Sequence, residues 1–445
     1  YNCGPTVYSY AHIGNARAAV AADVLFRVLC HIYGEDAVVY ARNITDVDDK
    51  IIAASQEEGV PISDITEKYA RIYNEDLAAL NCLPPTYQPK ATDHISDMVK
   101  LIQDLIDKGH AYVSDGHVFF DVSTYEGYGA LSGNTLDNLR GGDRVGEGEV
   151  ARKRNAADFV LWKPELDGVG WDAALGPDGA NLRGRPGWHI ECSAMIRAKL
   201  GKTIDIHCGG IDLKFPHHEN EIAQSCCGNG TDEFARFWVH NEFLNMGKDK
   251  MSKSLGNVTL VHDLLKEWDG EVIRFELIGT KYRNQLIWEK SGLTATKNLL
   301  DRLYRMKSDW LTSKSNVGNE PDTIFLEAVA NDLNIPDALR VLMERIAETT
   351  DQLRENSISK EEGIIVFGKI IASLNLIGFL QRDPEDWFRG NASADESAEF
   401  DALAAARHAA RQAKDWAEAD RIRDEGKARG IVFEDGPDGT SWRKA

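Results

Sequence analysis

Helix and strand alternate through the first part of this chain in an order that few folds accommodate. In YNCGPTVYSYAHIGNARAAVAADVLFRVL, apolar residues at 13, 16, 20, 24, 25, 28 and 29 recur at helical spacing, and Gly34 closes the helix. AVVYARNI (37–44) then reads as a strand, and TDVDDKIIAASQEEG has an acidic start suited to the positive end of a helix. Strand, turn, helix, strand is the opening of a parallel α/β sheet. Tyr1 stands without an initiator Met or a leading loop, which predicts a start inside or just after a buried strand, with a few native residues ahead of it.

Pro84, Pro85 and Pro89 break that rhythm. DHISDMVKLIQDLIDKGHAYVSDGHVFFDV predicts a helix and a short hairpin, and LRGGDRVGEGEV a loop, so 90–180 reads as an insertion in the sheet domain. The α/β pattern resumes with RPGWHIECSAMIRAKLG as helix, TIDIHCGGIDL as strand and turn, FPHHENEIAQSCC as helix and RFWVHNEFLNMG as strand. Beyond about 260 nearly every segment is helical, which predicts an α-helical bundle. After RDPEDWFRGNASADES comes a small module whose end, GIVFEDGPDGTSWRKA, predicts a short hairpin.

A chain of 445 residues suggests several domains. No apolar run approaches a bilayer span and no signal-peptide pattern is present, so no membrane partner is expected and the cytoplasm is the expected location. Seven Cys, an odd number without a secretion signal, predict free thiols, some of them metal-bound. The net charge of −20 argues against a protein that coats nucleic acid nonspecifically, and leaves recognition through a local basic face open.

Two short motifs carry chemistry. A strand-to-helix turn offers unpaired N–H groups at the positive end of a helix dipole, which favours phosphate. Gly14 allows close approach there, while His12 and Asn15 can donate to phosphate oxygens; alone, such a turn is more often simple packing. The second motif is KDKMSKSLGN (248–257), a polar stretch with Lys248, Lys250 and Lys253. Lysines in such a stretch suit negative charge developing on a phosphate, although a generic lysine trio is more often a solvated loop. The pair His-Ile-Gly-Asn and Lys-Met-Ser-Lys-Ser resembles the signature pair of class I aminoacyl-tRNA synthetases. Asn15 departs from the family's usual His, keeping a donor but no cationic form.

In FPHHENE, Pro216 suits a first helical turn, and His217 and Glu221 share a face four residues apart, where both can bind one metal ion. His218 is turned roughly 100° away on that helix and is set aside. Cys3 and Cys192 could complete a set with two sulfurs, although residues so distant in sequence prove nothing by spacing, and a lone Cys is more often a small buried hydrophobe. CGPTVYSYAHIGNAR, YARNITDVDDKII, GWHIECSAM, GGIDLKFPHHENEIAQS, KMSKSLGN and ARGIVFEDGPDGTSWR resemble, in order, the blocks of cysteinyl-tRNA synthetases, so the likeness runs over essentially the whole chain. The resemblance implies one zinc ion on Cys3, Cys192, His217 and Glu221. Cys208 stands where that family usually has Gly, close enough in sequence to leave a direct metal role open.

The resemblance further implies a Rossmann-like parallel-sheet catalytic domain in two halves (1–90 and 181–258) around an inserted connective domain (91–180). A stem-contact region (259–290), a helical bundle (291–385) and a small α+β module (395–445) would follow, the last two reading the anticodon. The implied reaction joins L-cysteine to tRNA(Cys) through cysteinyl-adenylate, with ATP and Mg2+, in a monomer. ATP would bind at His12, Gly14, Asn15, Gly209, Gly210, Asp212 and Lys253, with His12, Asn15, Lys250 and Lys253 catalytic. Trp188, His207 and Thr45 would line the cysteine pocket. For Asp46, Asp48 and Asp49, capping of a helix start is preferred to a metal cluster. Trp310, Trp387, Trp416 and Trp442 could stack on bases or be core. Two rivals stay open: a paralogous ligase that passes the same adenylate to an amino sugar, and a noncatalytic zinc-bearing RNA-binding protein.

Overall fold

Five parallel segments set the frame of the computed structural model, which describes residues 1–134, 152–247, 249–250, 258–310, 320–390, 392–436 and 439–444. Residues 87–90 pair with 41–45, these with 2–6, and these with the strand Ile204–Gly210, which pairs in turn with Ala235–Asn241. The first-entering segment therefore lies in the middle, flanked on both sides by later ones. Gly4 makes this possible at one point, because a Cβ there would stand 1.7 Å from the Asn43 carbonyl oxygen. Contacts divide the chain into a unit of Tyr1–Leu293 with Glu327–Leu339 and a unit of Thr294–Leu326 with Arg340–Ala445.

In the first unit, helix α1 (Ile13–Tyr33) ends at Gly34 as its spacing predicts. Helix α2 (Asp49–Glu58) is capped by Asp48, whose carboxylate accepts from the Lys50 N–H at 2.9 Å. Asp46 instead accepts from the Thr92 N–H and hydroxyl, and Asp49 pairs with Lys163 and Arg185, so the three acids have separate duties. After α3 (Ile62–Ala79) and α4 (Ile95–Asp107), strands β1 (Ala111–Ser114), β2 (His117–Phe120), β3 (Phe159–Pro164) and β4 (Gly184–Pro186) form an antiparallel sheet in that order. This sheet runs past the insertion boundary expected at 180. Its helix α4 shares one core with the resumed α/β part, where Met98, Leu101 and Leu105 are buried with Ile190, Ala194 and Ala223.

Next come α5 (Trp188–Lys199), β5 (Ile204–Gly210), α6 (Glu219–Asn229) and β6 (Ala235–Asn241). The helix start predicted at Pro216 is different: a single wide turn covers Lys214–His218, with Phe215 extended and a cis bond before Pro216. Strands β7 (Leu244–Met246), β8 (Asp249–Lys250) and β9 (Leu286–Trp288) form a small sheet beside α7 (Val261–Glu267) and α8 (Gly270–Ile278), with β7 in the middle. Asp23, fully buried, accepts from Arg274 at 2.5 Å, from Arg27 at 2.8 Å and from the Leu83 N–H at 2.7 Å, fixing α1 to α8.

The remaining chain is helical as expected: α9 (Lys290–Trp310), α10 (Thr323–Ala330), α11 (Ile335–Arg354), α12 (Lys360–Leu376), α13 (Pro384–Arg389), α14 (Ala394–Gln412) and α15 (Trp416–Ala428). The predicted hairpin closes it, as β10 (Ile431–Gly436) antiparallel to β11 (Gly439–Lys444). Trp387 is buried against Tyr304 and donates to Asp301, while Trp442 is buried and donates to Asp401. Trp310 lies against Phe367. Of the four tryptophans read as either base-stacking or core, Trp416 is the one that is mostly exposed, at 58%. Among the described residues no helix is long and apolar enough to cross a membrane.

Candidate functional site

A cleft of about 490 Å³ opens at the C-terminal ends of the central segments, lined among others by Cys3, His12, Gly14, Asn15, Trp188 and Asp212. This is where a parallel sheet presents its ligand site, at the point where strand order reverses. At one end stands the turn into α1. His12 is the N-cap; its Nδ1 accepts from the Asn15 N–H, and the Asn15 side-chain oxygen accepts from the His12 N–H, both at 3.2 Å. This reciprocal pair is a capping box. It gives Asn15 a role that needs only a neutral acceptor, whatever a cationic residue would add.

At the other end, around Cys3, four residues from three elements and the first segment converge; only Cys3 lines the cleft, and Cys192, His217 and Glu221 are buried behind it. Cys3 Sγ lies 3.8 Å from Cys192 Sγ and 3.6 Å from Glu221 Oε1, and His217 Nε2 lies 2.9 Å from the same Glu221 oxygen. Two thiolates on a tetrahedral zinc stand about 3.8 Å apart, and a thiolate and a carboxylate oxygen about 3.6 Å, from bond lengths of about 2.3 and 2.1 Å. Two edges of the ligand tetrahedron are thus already at metal spacing, and the donors suit zinc. His218, set aside by helix periodicity, also reaches the cluster: the wide turn brings its Nε2 to 3.5 Å from Cys3 Sγ, and Cys3, His207, His218 and Glu221 form a second compact group.

Burial governs the charges here. Burial alone would push the Glu221 carboxyl up, but His207 at 2.8 Å and His217 hold it well below the usual range. Burial would lower His217, yet Glu221 and Cys192 raise it to about 10. The hydrogen bond from Cys3 brings Cys192 down to about 6, and burial pushes the Cys3 thiol well up. Glu221 and Cys192 are thus drawn toward the anionic forms a metal ion requires, while His217 is drawn toward its cation and would release a proton on binding one.

The other expected site residues fall unevenly. Trp188 lies at the cleft wall with its ring stacked 4.2 Å from His217. Gly210 and Asp212 line the cleft as well. Gly209 does not: a Cβ there would meet the His218 ring at 2.8 Å, so its small size makes room for that imidazole. His207 is fully buried behind Glu221, and Thr45 is buried with its hydroxyl 3.0 Å from Glu191, so neither lines the cleft as expected. Cys208 faces the opposite side of β5, in a groove with Phe26, Tyr40 and Phe237, because strand residues alternate faces. A direct metal role for it is thereby removed, and burial raises its thiol to about 11. The backbone of Lys250 lies in β8; Lys253 and Lys248 lie outside the described residues.

Sequence reasoning missed three members. His189 Nδ1 is 3.0 Å from His217 Nδ1, an outer partner that sets which nitrogen of His217 faces the cluster. His240 Nε2 does the same for His218 at 2.8 Å. Asn43 Oδ1 accepts from the Gly4 N–H and lies 3.8 Å from Cys192 Sγ. Only His189 had a visible signal, its place between Trp188 and Cys192 in GWHIEC.

The fold and the two-ended cleft are those of a class I aminoacyl-tRNA synthetase. Residues 1–298 match the family model of the tRNA synthetases class I (C) catalytic domain. Solved structures share the fold at low identity: Mycobacterium tuberculosis methionyl-tRNA synthetase in complex with methionyl-adenylate has a TM-score of 0.57 at 15% identity, over 91% of this chain and 94% of that one. An Agrobacterium radiobacter LeuRS in a ternary complex has a TM-score of 0.61 at 12% identity, over 87% of this chain and 84% of that one. The chain belongs to the cysteine–tRNA ligase family. It is 51% identical to the cysteine–tRNA ligase of Maricaulis maris, over 100% of this chain and 94% of the relative. With that of Parvibaculum lavamentivorans it is 52% identical, over 100% and 93%. Residues 393–443 match the cysteinyl-tRNA ligase anticodon binding domain.

Proposed function

We propose that the chain performs the reaction of its family, ATP-dependent ligation of L-cysteine to tRNA(Cys) through cysteinyl-adenylate, releasing AMP and pyrophosphate. The observation that carries this reading is that Cys3 and Trp188 line the same cleft as His12, Asn15 and Asp212. One cleft thus offers N–H donors to phosphates and, at Cys3, one member of the proposed metal set to a thiol. Cys3, Cys192, His217 and Glu221 would hold one zinc ion, whose thiophilicity separates a thiol from a near-isosteric hydroxyl. Two sulfurs favour this set over the one containing His218.

The cysteine carboxylate attacks the α-phosphorus of ATP, and Mg2+-pyrophosphate leaves. The start of α1 and His12 Nε2, the ring nitrogen outside the cap, meet phosphate oxygens. Asp212 accepts from the ribose hydroxyls. Lys250 and Lys253 stabilise the charge that develops on the phosphates, and Trp188 walls the amino-acid pocket. The terminal ribose hydroxyl of tRNA then attacks the adenylate. Residues 1–90 and 181–258 form the catalytic part, 91–180 the connective insertion and 259–290 the stem contact. Residues 291–385 and 395–445 read the anticodon, and one chain is the working unit.

The test is cysteine-dependent exchange of pyrophosphate into ATP, followed by addition of tRNA or an amino sugar. Expected are exchange with cysteine, none with serine, and acylation of tRNA alone. Acylation of only the sugar, or no exchange at all, would overturn the reading. Zinc analysis of Cys3→Ala, expected to have lost the metal, checks the ligand set.

A further inference from the structure

One buried cation in the first unit forms no ion pair among the described residues, although the Glu242 charge acts on it. Arg17 on α1 is 1% exposed, and its two terminal nitrogens donate only to backbone carbonyls, while its buried Nε has no hydrogen-bond partner among the described residues. One terminal nitrogen bonds Glu242 at 2.7 Å and Phe243 at 2.8 Å; the other bonds Asn284 at 2.7 Å and Lys281 at 3.3 Å. A buried charge is costly unless its donors are satisfied, and a residue wanted for packing alone would be apolar. The planar fork of Arg is the side chain that can hold two pairs of acceptors at once.

The four carbonyls share a location. Glu242 and Phe243 lead directly into β7, and Lys281 to Asn284 lead into β9, which pairs with β7 in parallel from Leu244 opposite Leu286 to Met246 opposite Trp288. The Glu242 N–H also bonds Tyr282, and the Leu286 N–H bonds Phe243. Strand β7 in turn pairs with β8, where Asn245 stands opposite Lys250. Arg17 therefore pins the point from which the backbone of Lys250 is hung. The far side of the Lys-Met-Ser-Lys-Ser stretch is tied to the same part of α1: the Ile13 N–H bonds Thr259, and the Val261 N–H bonds Ala11. Both flanks of the second signature are thus fastened to the first one.

We infer that Arg17 is a positioning residue for adenylate formation, acting through β7 on the place of Lys250. The inference rests on the reading above, in which Lys250 meets the charge developing on the phosphates. It adds that the turn carrying His12 and the strand leading to Lys250 are kept in register by one guanidinium. All four of its bonds go to the backbone, so Arg17 acts on the phosphates only through what it holds. A misplacement of about 1 Å between reacting groups costs about 100-fold in rate, which sets the scale of the effect.

The test measures pyrophosphate exchange by the full chain, zinc-loaded, as wild type, Arg17→Met, Arg17→Lys, Lys250→Ala and Arg17→Met/Lys250→Ala. Each variant is assayed well below its own melting temperature, with zinc content and the KM for cysteine and ATP recorded. Arg17→Met is expected to lower kcat about 100-fold with KM and zinc content changed less than about threefold. The double variant is expected to exchange within about threefold of Lys250→Ala alone, because the two changes remove one effect. Should Arg17→Met not fold, Arg17→Lys, which keeps the buried cation and loses the fork, is read in its place, with an expected kcat loss of about 10-fold.

A lower melting temperature with kcat within about twofold of wild type would overturn the inference, leaving Arg17 a structural residue. Losses that multiply in the double variant would overturn action through Lys250. Unchanged exchange in Lys250→Ala would remove the role of Lys250 and the inference with it; that result is visible without any Arg17 variant, so the two failures are distinct.

Discussion

Charge is handled in opposite ways at the thiol end of the cleft and in the C-terminal module. Glu221, His207 and His217 are at most 1% exposed, each contacts another ionisable group, and the arrangement has no solvent to fall back on. In the module, Arg421 spans Glu418 and Glu425 and Arg423 bonds Asp420, with side chains partly to largely in water. The first arrangement is expensive to build and strongly coupled; the second is cheap and mostly additive. A small apolar core of Phe400, Ala404, Ile431 and Trp442, rather than those pairs, holds the module. Buried, mutually dependent charge thus separates the proposed zinc end of the cleft from the module, as it also does the Asp23–Arg274 pair that fixes α1 to α8.

The largest effect is expected from breaking the buried set. Glu221→Gln keeps the size but removes the anion between two imidazoles, and zinc affinity should fall by more than about 100-fold, beyond the loss of an outer partner. Metal analysis after dialysis and cysteine-dependent exchange read this together; retained zinc would show that the carboxylate is no ligand. Next, His12→Ala should lower kcat for exchange by about 100- to 1000-fold while zinc content stays at the wild-type level. Loss of zinc in that variant would show that the two ends of the cleft are not separable. His189→Phe, which leaves all four proposed ligands in place, should weaken zinc binding by about 10- to 100-fold in a chelator competition.

Smaller effects probe charge and polarity that are local or partly exposed. Asn15→Ala removes half of the capping box and should cost about 1 kcal/mol in a denaturant melt, whereas Asn15→His retains an acceptor and should cost less. The last prediction concerns Asp435 in the module. Burial raises its pKa, but bonds from Arg407 and Thr440, with Arg411 nearby, outweigh it and leave the carboxyl below its ordinary 3.8. A lowered folded pKa means stability present above that ordinary value and lost as pH falls through the folded one. Asp435→Asn should therefore cost about 1 kcal/mol at pH 7, and the difference from wild type should begin to shrink below about 3.8 and vanish only once pH has fallen through the lower folded value. A pH-independent difference would assign the effect to shape instead of charge.

Legibility in the sequence followed the range of the interactions. The His12–Asn15 turn, α1 with its Gly34 end and the final hairpin depend on neighbours a few residues apart, and all were readable; of the three acids expected to cap α2 only Asp48 does, because Thr92, Lys163 and Arg185, which take Asp46 and Asp49, are distant in sequence. Cys3 and Cys192 were joined only through the resemblance, since nothing in their local sequence points from one to the other. Alternation along β5 decided three residues at once: His207 went behind Glu221, Cys208 to the far face, and Gly209 under the His218 ring. Which face is which depends on the neighbouring segments, and these are not in the local pattern. That His218 also reaches Cys3 was not readable, because a wide turn over Lys214–His218 stands where a regular helix was expected; the proposed set keeps His217.

By itself the sequence determined the parallel α/β class, the phosphate-suited turn, the helical second half and, through its ordered blocks, the family. Those follow from hydrophobic period, turn chemistry and motif order, which are local properties. Tertiary structure alone decided which imidazoles surround Glu221, that Cys208 is excluded from them, and that Arg17 joins α1 to the strand before Lys250. The reason is physical: burial and charge pairing depend on what packs against a residue from distant parts of the chain, and a shift of a few ångströms changes both.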